Sequence, residues 1–564
     1  MAEERGVVRE YPAWKPKPAS WTKLFRTFLV ALDPFKLLVA AAGILATAVG
    51  WWIISAIFYS AWTVPSMPQA LPDNASVEEK KASIEKRKAF EAWALMHELA
   101  GPSNSDNKAY ADYKATHPEE LTLHPRLSHG YAGKFRTMPW AEDRGPHPFL
   151  VARSLIGGRT VDRKDTLSLF LTNQVPNLVE PLLKFLSPVY YLFDSKANGW
   201  TRLFLLLLII WLLVVWAFVG GIITRMAALQ LSGKEGGTLR ESFRFVKKRY
   251  LSYLLSPLSP ILVIGFLVIC CMLFGLLHWI PLVGDIVDGL FWWLPLIAGL
   301  LMTLLLLGMI GYPLMYATLS TEGSDTFDAM SRSYNYVYES PWHYLFYSFL
   351  AIIYGAVLTL FVLLVGSMAT YLAKWGVSKW PTFGADRSPE YLFIYAPESL
   401  GWRKLLLDQS PAAIDDHGVP LNAEDYNAYM QDYAWYNYIG SGMVSFWVTL
   451  VFLMVIGFGY SYFWTAATQI YLLMRKRVDE TDLDEVYVEE EAPPAPTIIP
   501  AATPHPAATT PVTTTEVLVP TVAPVAVTPL PAETEIKPPT ISQPSINLDT
   551  PPAGTGDDTP PSTK

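Results

Sequence analysis

Charge is scarce in this chain. Asp, Glu, Lys and Arg make up 17% of its 564 residues, against 51% apolar and 13% aromatic residues, a balance shifted from soluble proteins towards membrane proteins. Cysteine is nearly absent: Cys270 and Cys271 are adjacent, neighbours of this kind seldom pair, and neither a disulfide framework nor a metal knuckle follows. They sit in an apolar run, where thiols behave as small hydrophobes. There is no Walker A loop and no dinucleotide-binding glycine pattern, and inside the apolar runs no Asp pair, Ser-Lys, His-Glu pattern or Arg-rich helix. These absences weigh against an intramembrane protease, a phosphatase or an ion-coupled carrier. His117, His124, His129 and His147 lie among turn formers without His-x-His or His-Glu-x-x-His spacing, so no metal site is read from them.

What the chain has in quantity is long apolar stretches. Six meet the length of a spanning helix, at 37–62, 203–224, 259–279, 290–319, 343–372 and 443–474. The last three exceed what a bilayer needs, which implies tilt or emergence into water. The first follows residues 1–36 and is too long for the core of a cleavable signal, so it reads as a retained anchor.

Lys and Arg beside the spans set the orientation. Residues 1–36 carry Arg5, Arg9, Lys15, Lys17, Lys23, Arg26 and Lys36, the 225–250 loop carries seven more cations, and Arg475, Lys476 and Arg477 close the last span. With six spans these segments share one side. Both termini are therefore expected in the cytoplasm of a cell inner membrane, with 63–199 and 375–440 external.

The expected architecture is an all-α integral membrane protein. A cytoplasmic arm, 1–36, includes an amphipathic helix from Ser20 with Trp21, Leu24, Phe25, Phe28, Leu29 and Leu32 on one face and Lys23, Arg26 and Thr27 on the other; it should lie in the headgroup plane until Asp33-Pro34 ends it. The first span, 37–62, precedes a mostly helical external region, 63–199, whose broken apolar part 167–191 should lie along the membrane surface or pack on the bundle. A four-span core occupies 200–374 and an aromatic-rich external region 375–440, suited to a headgroup-level belt or a small cap. The last span, 441–477, leads into an acidic, then Pro/Thr-rich tail, 478–564, expected to be disordered.

Within the core one unit occurs twice. Thr238-Leu-Arg-Glu241 is a capping box opening an amphipathic helix that Ser256-Pro257 stops. Glu322-Gly-Ser matches Glu235-Gly-Gly, Asp325-Thr-Phe-Asp328 supplies the second cap, and Ser340-Pro341 the second stop. This pattern of span, Glu-Gly turn, capped helix and span points to an internal duplication. Glu235, Arg244, Glu322, Asp325, Asp328 and Arg332 are the candidate binding residues. Their plain role is to cap helices and pair with each other; the alternative is that they dock a protein partner on the cytoplasmic face.

The stretch Pro313–Tyr344, with Thr224–Pro257, resembles a family of uncharacterised bacterial multi-pass membrane proteins. That family carries a Tyr-Ala-Thr-x-Ser-Thr-Glu-Gly-Ser-Asp-x-Phe-Asp-Ala signature, which stands here at Tyr316 to Ala329. The resemblance runs from the first span to about Val488 and implies no activity. A much looser likeness is to the membrane domain attached to some glycerophosphodiester phosphodiesterases, without their catalytic domain. The expectation is thus a non-enzymatic membrane scaffold or accessory subunit with no cofactor and no nucleic-acid partner. The alternative is a permease-like transporter subunit coupled to a cytoplasmic partner through the repeat helices.

Overall fold

The structure is a computed structural model that describes residues 20–62, 65, 76–102, 132–145, 148–149, 172, 175–234, 237–379, 389–407, 410, 412–414, 421–431 and 433–488. The four histidines named above, Glu235 and the tail from residue 489 lie outside them. The described residues fall in one compact unit. Among the described residues the secondary structure is helical.

After a 3-10 turn, Ser20–Arg26, come α1 (Thr27–Ala31), α2 (Pro34–Ser60), α3 (Val77–Ala100), α4 (Glu180–Leu192) and α5 (Gly199–Ser232). Next are α6 (Leu239–Lys248), α7 (Tyr250–Leu255), α8 (Ser259–Gly275), α9 (Val283–Phe291) and α10 (Trp293–Gly308). The chain continues with α11 (Tyr312–Glu322), α12 (Thr326–Glu339), α13 (Pro341–Ser378), α14 (Trp402–Leu407), α15 (Ala423–Gln431) and α16 (Trp435–Val478).

Among the described residues five helices are long and apolar enough to cross a membrane: α2, α5, Trp293–Glu322 (α10 and α11 joined by a 3-10 turn), α13 and α16. The six expected spans become five and one shorter element. That element, α8, has 17 residues, roughly 25 Å of helix against a hydrocarbon core of about 30 Å. At the other extreme α16, with 44 residues, is about 66 Å long and must project well past a bilayer.

The core is the contact of α2 with α5 and α16. Small residues let these backbones approach where lipid supplies no hydrophobic drive between helices. A Cβ built on Gly50 would fall 1.9 Å from Trp211 Nε1, and one on Gly457 3.2 Å from the Leu37 carbonyl. Indoles then lock the seams: Trp51 Nε1 donates to the Leu208 carbonyl at 3.1 Å, Trp216 Nε1 to Thr47 Oγ1 at 3.1 Å, and Trp216 stacks on Tyr460 at 4.7 Å.

The N-terminal helix departs from the expected geometry. Leu24, Thr27 and Ala31 form the buried stripe, with the first segment packed on α16, while Leu29 is 74% exposed. Thr27, assigned to the polar face, is buried because its hydroxyl bonds back to the Leu24 carbonyl at 2.5 Å. Asp33 does end the segment: its side chain accepts from Phe35 N–H at 2.9 Å and caps α2.

Parts of region 63–199 join the bundle. α3 packs on α2, α4 packs on α5, and Phe135 meets Trp51 edge-on at 5.1 Å. The 375–440 region builds a small core from Ile394, Leu407, Ile414 and Tyr433 and seats buried Trp402 on Phe452 of α16. By contrast α8 and α10 pair with each other and meet α12 at their base. Leu262, Phe266, Met272, Leu296 and Leu300 stand outward and exposed, a surface suited to lipid tails and not to water.

Candidate functional site

Four of the charged residues singled out above, Glu322, Asp325, Asp328 and Arg332, meet at one end of the bundle, where α5, α11 and α16 converge. The reason is local. α11 stops at Gly323, whose φ of +64° lies in the left-handed region that glycine enters freely. The chain then turns for two residues, and Asp325 starts α12 by accepting the Asp328 N–H at 2.9 Å. One turn later Arg332 Nε donates to Asp328 Oδ1 at 3.0 Å, and Arg332 Nη1 lies 2.9 Å from Glu322 Oε2.

Glu322 is the hub. Besides Arg332, its Oε1 accepts from the Tyr471 hydroxyl at 2.6 Å and lies 3.6 Å from Arg475 Nη1, both on α16. The Arg475 side chain is only 5% exposed, so this pairing is largely shielded from solvent. Tyr336 of α12 donates to Asp479. Burial and the adjacent Asp479 carboxylate raise the Tyr336 hydroxyl above its ordinary value, so it remains a donor.

Beyond α16 the backbone folds back over this junction as a strap, residues 479–488. Arg475 Nη2 donates to the Asp482 carbonyl at 3.1 Å and also to that of Glu485. The Tyr487 N–H donates to the Thr321 carbonyl at 2.7 Å. Arg225, fully buried at the end of α5, donates through Nη1 to the carbonyls of Ser320 at 2.7 Å and Tyr487 at 2.8 Å. Its guanidinium lies 4.0 Å from the Phe245 ring centre. Arg249 donates to the Gly323 carbonyl at 3.2 Å. The last carbonyls of a helix have no partner in the helix and carry the negative end of its dipole; at α11 two arginines and one backbone N–H take them up.

Of the six candidate residues the structure brings together Glu322, Asp325, Asp328 and Arg332. Arg244 stands apart, exposed on α6, and Glu235 lies outside the described residues. Sequence reasoning passed over Arg225, Arg249, Tyr471, Arg475 and Tyr487. In sequence the arginines read as cations flanking the spans; an arginine following Gly220-Gly221 in an apolar helix is the signal that Arg225 is buried.

A second charged group lies deeper. Arg144 makes a two-pronged pair with Glu180, Nε to Oε2 and Nη2 to Oε1, each 3.0 Å. Lys184 Nζ bridges Glu142 at 2.9 Å and Glu180 at 2.8 Å, and the Tyr460 hydroxyl donates to Glu180 Oε1 at 3.1 Å. Tyr460 is roughly 22 Å along α16 from Arg475 at about 1.5 Å per residue. Two cations and two carboxylates thus neutralise one another inside the bundle, which is what burial demands. Glu180 and Lys184 at i and i+4 were legible in the sequence; the arrival of Glu142 and Arg144 from a distant loop was not.

Among the described residues no group of three His, Cys, Asp or Glu is arranged to hold a metal ion. No family model matches the chain, and no curated protein and no solved structure matches it either.

Proposed function

We propose that the chain is a non-enzymatic membrane scaffold or accessory subunit that acts from its Arg475 end. The observation that carries this reading is the pinned strap: Arg225, Arg475 and the Thr321 carbonyl fix residues 482–487 against the bundle. Beside it α6 turns Arg240, Arg244, Lys247 and Lys248 outward, a cationic face for an acidic protein partner. Mild-detergent purification with identification of co-purifying proteins tests this. A partner lost when all four cations are changed to Glu supports the reading; partners unchanged by that reversal contradict it.

We further propose that α8, extended by the 3-10 turn Leu276–Trp279, crosses as a sixth span. Both termini then face the cytoplasm of an inner membrane. Alkaline phosphatase fusions at Asn104 and Ala413 should be active and a cytoplasmic reporter at Ala502 should respond; the reverse pattern sinks the topology. The two helices that open on side-chain caps, from Thr238 and from Asp325, support the internal duplication.

One observation favours the second reading, a permease-like transporter subunit. The Glu142–Arg144–Glu180–Lys184 group sits within the span of the bundle helices, where ionisable side chains mark substrate paths by default. Stoichiometric co-purification of an ATPase would decide for it.

A further inference from the structure

Between α4, the α10–α11 junction, α13 and α16 lies a cavity of about 460 Å³ that belongs to neither charged group. Its wall is apolar almost throughout, with Leu182, Ile310, Ala351, Ile352, Ala466 and Ile470 contributing from the four sides. Two of the tyrosine hydroxyls at its edge are spent: Tyr344 donates to the Ile310 carbonyl at 2.8 Å and Tyr462 to the Ala351 carbonyl at 2.9 Å. Water needs two to four polar partners to settle in such a space, and an apolar cavity of only about 150 Å³ already stays dry. Left empty, the wall would forfeit dispersion contacts over its whole area.

Two features identify the occupant. The first is depth. The α16 residues on the wall run from Tyr462 to Ile470, roughly 7–20 Å from Arg475 along the helix, which is the acyl region of the leaflet on that side. The second is the direction of the mouth. The back is closed by buried Leu314, Ala351, Tyr462 and Ala466, while Ile310 and Leu345 on the same wall are 58% and 49% exposed. These outward residues belong to helices of spanning length, so the opening faces sideways into the hydrocarbon and not towards either aqueous end.

We propose that this cavity binds one acyl chain of a bilayer phospholipid, drawn laterally from the leaflet on the Arg475 side. The site rests on the membrane-spanning arrangement and is independent of the scaffold reading. Its chemistry is dispersion and exclusion of water, so it selects chain over headgroup.

The test uses the full chain reconstituted in phosphatidylcholine vesicles containing a phospholipid with a photoactivatable diazirine on one acyl chain, with adducts mapped by mass spectrometry. Adducts should concentrate at 348–352 and 466–470 relative to the lipid-exposed face of α8. Filling the back of the cavity with Ala351→Leu and Ala466→Leu should cut those adducts roughly tenfold and leave labelling of α8 unchanged, the α8 signal and a monodisperse elution profile serving as the controls for folding. Ser348→Leu is the alternative filler should the double variant fail those controls. Equal labelling of cavity and α8, or labelling insensitive to the fillers, overturns the proposal. So does an unlabelled cavity, the outcome expected if a side chain of a neighbouring protein occupied it.

Discussion

The two elbows of the core use the same local grammar and end differently. α5 and α11 both stop on a glycine at positive φ, +72° at Gly233 and +64° at Gly323, and Thr238 and Asp325 then cap the helices that follow. At the first elbow the helix end closes itself: Gly233 N–H donates to the Gln230 carbonyl at 3.4 Å and Lys234 N–H to that of Leu229 at 3.1 Å, the paired bonds that satisfy orphan carbonyls locally. At the second, Gly323 N–H reaches Leu319 at 3.1 Å, and the carbonyls of Ser320, Thr321 and Gly323 go to Arg225, Tyr487 and Arg249. A helix end that satisfies itself leaves the next helix free to present its charges. One that does not draws in distant groups and becomes a lock.

This contrast can be broken most sharply at the arginines. Arg475→Ala removes one side of a pairing shielded by the bundle and leaves the Glu322 carboxylate and two strap carbonyls short of donors, so unfolding stability in detergent should fall by about 3–5 kcal/mol. Arg244→Ala, on the open elbow, should stay within about 0.5 kcal/mol. Equal losses would erase the distinction.

The glycines give a smaller difference. Gly323→Ala forces a left-handed alanine, and its Cβ would stand 2.9 Å from Tyr487 Cδ1, whereas nothing lies within 4 Å of a Cβ on Gly233. Thermal unfolding should show a loss of about 1 kcal/mol at Gly233 and about 2 kcal/mol or more at Gly323. The caps should not discriminate at all. Thr238→Ala and Asp325→Ala should each cost about 1 kcal/mol, because both caps act on N–H groups of their own helix; unequal costs would place part of the lock in the cap.

The parts of the fold legible in the sequence were those set by local physics. Long apolar runs announced the spanning helices, and Thr238 and Asp325 announced their helix starts. At α8 the sequence does not mark where the helix changes form: 259–279 continues past Gly275 as a 3-10 turn, and composition does not register that change. At the site, Glu322 and Arg332 stood out because they are near in sequence to a turn that brings them together. Arg225, Arg475 and Tyr487 did not, since their partners are backbone carbonyls far along the chain and a carbonyl has no sequence signature. The same limit hid Arg144, which meets Glu180 from a loop 36 residues away.

Hydrogen exchange in the strap tests the lock most directly. The Tyr487 amide, bonded to the Thr321 carbonyl in the wild-type chain, should exchange roughly a hundredfold or more slowly than an open backbone amide, and Arg475→Ala should abolish that protection while α6 is unaffected. Exchange of Tyr487 at the rate of an open chain in the wild type would show that residues 479–488 do not hold this end of the bundle.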